Sequence, residues 1–312
     1  MSYRIGIDVS KWQVFVDWER LRLGEAAFAM IRGLSGIWED GMFRSHWAMS
    51  KLSGIPRGAY AYYLDNQDPK AQAKKLFDLL SSTGDLGEFP PALDIEEINN
   101  PTLTASKIKI CLEEIERLFQ RTPMVYTRAS VWNPKIGNVT WASRYPLWVA
   151  HYTLAGWQQD HIARTLSNTS PSLPGPWPDY AIWQISDKCP ASYYGVSGTT
   201  VDVNAAREES LAQLMSPIIG DDGAETSTLP LGNARVLVQG LNLRSRPRVE
   251  INVVATLNAG EIVQVLNTYR EDETIVWRAI MRTDRRVGWA AERYPTLVDN
   301  AGKLIPGLEV SE

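Results

Sequence analysis

The sequence predicts an α/β barrel of eight strands followed by a small all-β domain. Two observations point to the barrel: eight strand-length apolar runs occur before residue 205, and helical patterns alternate with the early ones. A third points to the second domain. Beyond residue 230 the pattern changes to short strands separated by turn residues at close intervals.

The elements follow in order. Residues 4–10 alternate and are rich in β-branched side chains, a first strand with Asp8 near its end. Asp17 is placed to cap a helix running through Leu23. Residues 27–33 form an apolar run of strand length, and 43–52 have a helical pattern with Phe43 and Trp47 on one face. Residues 56–63 are the next strand. Asp68-Pro69 reads as an N-cap followed by proline at the first helical position, and the helix it starts buries Ala73, Leu76, Phe77 and Leu80. Then come a strand at 92–96, a helix over 103–119, and strands at 124–127, 147–152, 181–185 and 200–204. Fewer helices are visible after the fifth strand, so the later part is expected to be irregular or antiparallel. Residues 157–177 read as a long, polar, proline-bearing loop.

Residues 216–229 carry Gly220-Asp221-Asp222-Gly223 and a Ser/Thr run, and read as a linker. In the second domain the expected strands are 234–239, 253–257, 262–266, 277–281 and 288–290, and the tail from Asn300 is expected to be loosely ordered. The domains are therefore 1–215, the linker 216–230, 231–300 and the tail 301–312.

The strand Ala92-Leu93-Asp94-Ile95-Glu96 organises the chemistry. Pro90 and Pro91 mark its entry. Residues two apart on a strand share a face, with Cα atoms roughly 6–7 Å apart, so Asp94 and Glu96 point the same way. Two carboxylates held together repel, and one tends to keep its proton near neutral pH. An acid and a base in one place suit glycosidic bond cleavage. Solvated surface acids at a strand end are the competing reading.

Composition excludes several classes. A net charge of −4 does not favour nucleic acid or an anionic membrane as partner, and no apolar run is long enough to span a bilayer. Two cysteines are too few for a disulfide framework. Cys111 falls on an apolar helix face and Cys189 in an expected loop before Pro190. With three histidines and no His-Glu-x-x-His or Cys-x-x-Cys, no zinc site is expected. Gly195-Val196-Ser197-Gly198 is not a nucleophile elbow. No metal or organic cofactor is expected. The first residues lack the basic start and apolar core of a signal peptide. That leaves a cytosolic protein, release by another system such as a phage-made membrane hole, or secretion by another route.

Residues 1 to about 215 resemble the glycoside hydrolase family 25 muramidases, the Chalaropsis-type lysozymes. The resemblance rests on Gly6-Ile7-Asp8-Val9-Ser10-Lys11-Trp12-Gln13, Gly58-Ala59-Tyr60-Ala61-Tyr62, Leu93-Asp94-Ile95-Glu96, Pro146-Leu147-Trp148, Trp183-Gln184 and Val201-Asp202-Val203-Asn204, in that order. One departure is Ala61, where the family commonly has His in the expected pocket wall. The resemblance implies a modified eight-stranded TIM-like barrel whose last strands leave βα alternation. It implies Glu96 as proton donor and Asp94 as the acid that stabilises the intermediate or orients the substrate's acetamido group, whether that intermediate is enzyme-bound or formed by the N-acetyl group. Asp8 and Asp202 match the remaining two acids at the C-terminal mouth, where barrel enzymes do their chemistry.

Tyr62, Tyr126, Trp148 and Trp183, near strand ends, are candidates for stacking on sugar rings, with Gln184 beside them; ordinary core packing competes. Trp12 is expected to pack. The second domain resembles a bacterial SH3-like (SH3b) module at Leu241-Asn242-Leu243-Arg244-Ser245, Leu257-Asn258-Ala259-Gly260-Glu261 and Gly288-Trp289-Ala290, with Arg246 where a glycine is common. Such modules often bind peptidoglycan. The expected function is peptidoglycan hydrolysis by a monomer at the bacterial wall. Two rivals are a non-catalytic wall-binding barrel and a chitinase-like glycosidase; Ala92 breaks the Asp-x-x-Asp-x-Asp-x-Glu run that the latter needs.

Overall fold

A computed structural model describes residues 2–24, 26–99, 101–153, 156–157, 160–215, 232–244, 253–270, 275–283, 287–294, 297, 303 and 306–310. The expected linker and Arg246 lie outside these residues. By contacts the chain divides into two compact units, one of residues 1–43 with 53–224 and one of residues 44–52 with 225–312.

The first unit is built on β1 (Tyr3–Val9), β2 (Ala26–Ser35), β3 (Trp38–Glu39), β4 (Arg57–Tyr62), β5 (Ala92–Asp94), β6 (Met124–Thr127), β7 (Leu147–Ala150), β8 (Ile182–Pro190) and β9 (Thr200–Arg207). The strand order β1-β9-β8-β7-β6-β5-β4-β2-β3, with β1 also paired to β2, closes eight strands into a barrel and leaves β3 as a hairpin on β2. Apart from the antiparallel β2–β3 hairpin, pairings from β1 through β8 are parallel, whereas β9 is antiparallel to both β8 and β1. The expected irregularity is thus a single reversed closing strand. A two-residue hairpin cannot join parallel strands, which need a crossover; β8 and β9 are antiparallel, with only a short 3-10 turn at Ala191–Tyr194 between them.

The helices in chain order are α1 (Trp18–Leu23), α2 (Phe43–Leu52), α3 (Pro69–Ser81), α4 (Pro101–Phe119), α5 (Ala129–Lys135), α6 (His161–Asn168) and α7 (Glu208–Leu214). Asp17 Oδ1 accepts from Arg20 N and caps α1; Asp68 Oδ1 accepts from Ala71 N and caps α3. On α3, Ala73, Leu76, Leu79 and Leu80 are buried, while Phe77 is half-buried against Phe119, with ring centroids 5.2 Å apart. Cys111 is a buried free thiol, raised by burial.

Three expectations need correction. Residues 157–177 include α6, a helix of only eight residues whose buried side chains are His161 and Thr165. Cys189 lies in β8, not a loop, and is buried. The acid strand stops at Asp94, although Ile95 N still donates to Tyr126 O at 2.9 Å and so stays tied to β6.

The second unit contains an antiparallel seven-stranded sheet: β10 (Gly232–Val236), β11 (Leu241–Arg244), β12 (Val253–Leu257), β13 (Ile262–Arg270), β14 (Val276–Met281), β15 (Val287–Arg293) and β16 (Leu308–Val310). Ala234, Leu243, Leu257, Val265 and Ile280 form its core. Part of the expected loose tail is β16, which pairs with β10 and buries Leu308. Residues 44–52 belong to this unit by contacts, and within it Trp289 Nε1 donates to Ser45 Oγ at 2.8 Å.

Candidate active site

Strand ends deliver the acids to one place. Asp8 closes β1, Asp94 ends β5, Glu96 follows two residues later, and Asp202 opens the antiparallel β9, whose reversal brings its start to the C-terminal ends of the other strands. All four line a single cavity of about 400 Å³ together with Tyr62, Tyr126, Trp148 and Gln184. Asp94 stands between Tyr62 of β4 and Tyr126 of β6 in register.

Burial dominates the electrostatics. Asp94 is buried, and its Oδ1 has no hydrogen-bond partner among the described residues. Burial, and then the neighbouring Glu96 and Asp8, hold its carboxyl well above the usual range, with Arg32 opposing. Glu96 is half-buried and raised by burial; Arg128 pulls it down, Glu97 pushes it up and Arg32 pulls it down. Burial pushes Asp8 up to about 6 against hydrogen bonds from Asn204 and Gln184. Asp202 is raised well above its usual range by burial and by Asp8. Burial raises all four carboxyls of the cavity to different extents, and groups whose proton affinities are spread in this way suit an acid and an anionic stabiliser acting on one bond.

Trp183 is the exception among the expected residues. Side chains alternate along β8, so Gln184 reaches the cavity and Trp183 turns away from it. Its Nε1 donates to His151 O at 2.8 Å and its ring packs edge-on against Tyr180, outside the cavity. Ala61 likewise sits between the two lining tyrosines, Tyr60 and Tyr62, on the other face of β4, so the missing imidazole is not a gap in this wall. Trp12, expected to pack, is 69% exposed at the cavity rim.

Several participants carried no motif signal. Arg32 lines the cavity from β2, where its Nε donates to Asp40 Oδ2 at 2.7 Å. Tyr152, just past β7, donates to Gln184 Oε1 at 2.7 Å. Asn204 stands two residues after Asp202 in Val201-Asp202-Val203-Asn204, a run that does not reveal its role; its Nδ2 donates to Asp8 Oδ2 at 2.8 Å. Among the described residues, no group of three or more His, Cys, Asp or Glu is set to hold a metal ion.

The model of glycosyl hydrolases family 25 matches residues 7–193, from the first barrel strand to the turn before β9. The chain belongs to glycosyl hydrolase family 25. Among relatives of this family 25 chain, uncharacterized protein YegX of Escherichia coli K12 is 31% identical over 163 residues, 48% of this chain and 57% of that protein. The chain thus aligns with little more than half the length of that relative. Lysozyme M1 of Streptomyces globisporus is 29% identical over 201 residues, 58% of this chain and 61% of that protein. The solved bacterial lysozyme of Streptomyces coelicolor superposes with a TM-score of 0.56 at 25% identity, covering 69% of this chain and 98% of that one.

Proposed function

We propose that this family 25 protein is a peptidoglycan muramidase that hydrolyses the β-1,4 bond between N-acetylmuramic acid and N-acetylglucosamine. The observation that carries the reading is the convergence of Asp8, Asp94, Glu96 and Asp202 in one cavity of a closed barrel. The lysozyme names of two similar proteins support the substrate class.

Glu96 is the proton donor: it is half-buried, its carboxyl is raised by that burial, and it is open to the cavity, where it can pass a proton to a leaving sugar oxygen. Asp94 stabilises the intermediate. Its Oδ1, without a partner, is an acceptor for a substrate donor such as an acetamido N–H, and developing positive charge on the sugar favours its anion. Asp8 adds negative charge from β1, beside Asp202 on the neighbouring β9. Tyr62, Tyr126 and Trp148 offer ring faces or edges to the glycan.

The second unit is proposed to be an SH3-like wall-binding module, supported by its antiparallel sheet and the motifs at 241–245, 257–261 and 288–290. Tethering would raise the local substrate concentration. The proposed site of action is the bacterial wall, with the protein working as a monomer.

Mass spectrometry of fragments released from purified walls tests the reaction. New reducing N-acetylmuramic acid ends are expected. New reducing N-acetylglucosamine ends, or no glycan cleavage at all, would refute it.

A further inference from the structure

One indole sets the direction of a whole hydrogen-bond network behind Asp8. An indole N–H donates and never accepts. Trp148 Nε1 lies 2.7 Å from Asn204 Oδ1, so the amide of Asn204 can face only one way, with Nδ2 toward Asp8 Oδ2 at 2.8 Å. That carboxyl oxygen is therefore an acceptor. Gln184 approaches the same oxygen at 2.8 Å, so the approaching atom is Nε2, whose second N–H is directed at Asp202 Oδ2, 3.3 Å away. Gln184 Oε1 must then accept, and Tyr126 and Tyr152 both donate to it, at 2.8 and 2.7 Å. Both lone pairs of that amide oxygen are used. With two N–H groups on Oδ2, a proton on Asp8 has only Oδ1 to occupy.

Accepting the muramidase reading above, we propose that Asn204 and Gln184 are positioning residues. Oriented by Trp148, Tyr126 and Tyr152, they hold Asp8 as a carboxylate whose Oδ2 is committed to two N–H donors, so that a proton is taken up only at Oδ1, and they set the pH below which the cavity loses that charge. An amide that donates to a carboxylate favours the ionised form, and both amides act on Asp8 in that sense against its burial. The other titratable or charged groups around Asp8 are Arg32 on β2, Tyr60 on β4, Asp94 and Glu96 at the end of β5, Tyr126 on β6, Tyr152 beyond β7 and Asp202 on β9. Of these, Arg32 favours the anion and Glu96 disfavours it.

The test is the titration of Asp8 in the full chain, followed by NMR of carboxyl-labelled aspartate, with the resonance assigned by its loss in Asp8→Asn. Asn204→Leu removes one donor and should raise the Asp8 midpoint by about one pH unit or more. Trp148→Phe removes the N–H that orients Asn204 together with part of a buried ring, and Tyr152→Phe removes one of the two donors to Gln184. Both should raise the midpoint by smaller amounts, on the order of a few tenths of a unit. The acid limb of kcat against pH on purified walls should move upward in the same order; KM should change little in Asn204→Leu and Tyr152→Phe, whereas Trp148→Phe also alters a ring placed against the glycan. An unmoved Asp8 midpoint in folded Asn204→Leu overturns the proposal. If that variant does not fold, an unmoved midpoint in Tyr152→Phe, at a partly exposed side chain, overturns it instead. Failure of every form to cut walls would sink the muramidase reading, and the NMR midpoints would still decide the clamp.

Discussion

Asp8 and Asp202 stand directly opposite one another across the antiparallel β1–β9 pair, and the single amide nitrogen of Gln184 donates to both carboxyls, at 2.8 and 3.3 Å. Like charges placed directly opposite across a strand pair destabilise a sheet, and burial sharpens the repulsion. The barrel tolerates this arrangement because its interior core, from Phe28 and Met30 to Trp148 and Ile182, is closely packed around it. The acids are a local cost carried by the fold.

Glu96→Gln keeps the side chain's shape and removes its ionisable proton. Turnover on purified walls should fall about 10²–10⁴-fold, with little change in binding. Circular dichroism should show an unchanged fold. A folded variant that clears walls at the parent rate would remove Glu96 from the role of acid.

Asp94→Asn should also lose most of its activity, yet gain stability at alkaline pH. The Asp94 carboxyl is held well above the usual range by burial and by Glu96 and Asp8. The folded state therefore keeps a proton that the unfolded chain releases near about pH 4. Stability from this group is present below the unfolded pKa and is lost as pH rises through the folded one. The amide does not titrate, so the melting temperature of the variant minus that of the parent should grow between about pH 5 and about pH 9, by on the order of a few degrees. A difference that is constant or shrinks with pH would show that Asp94 is ionised in the folded protein.

Gly6→Ala tests the barrel packing. A Cβ at Gly6 would lie 2.6 Å from the ring of Phe28, its partner across β1–β2, and that ring is fully buried. Overpacking of this kind costs about 1–3 kcal/mol. Chemical denaturation should show that loss in the midpoint; an unchanged midpoint would mean the ring has room to shift.

Ending the chain at residue 224 separates tethering from stability. The cut removes the indole that donates to Ser45 Oγ and the rest of the unit to which residues 44–52 belong. The shortened chain should melt several degrees lower by calorimetry. If the lost unit is a wall tether, pelleting with intact walls should also weaken, while cleavage of short soluble glycans by the protein still folded should persist. Equal losses on soluble and insoluble substrates would argue against a tether.

The sequence by itself determined the order of the eight barrel strands, the first four helices and three positions of the acid cluster; β3, α5, α6 and α7 were not legible in it. Alternation in residues 4–10, the proline-marked entry to Asp94 and the period of α3 are local signals, written in neighbouring side chains. The Asp-x-Glu spacing placed Asp94 and Glu96 together without reference to anything distant. Asp8 was legible as a polar residue near the end of a β-branched run.

Only the tertiary structure decided how these acids are held. Nothing near Asn204 in the chain shows that Trp148, 56 residues away, orients its amide, or that Gln184 reaches Asp8 across 176 residues. Trp183 and Gln184 are adjacent and equally plausible as lining residues, but the pleat of β8 sends them to opposite faces, and the register with β7 and β9 chooses which face is inside. Tyr152 and Arg32 carry no local mark of function because their roles depend on what closure of the barrel brings to them. Propensity is a property of a few consecutive residues. Burial, amide orientation and the proton affinity of a carboxyl are set by groups that meet only when the sheet closes.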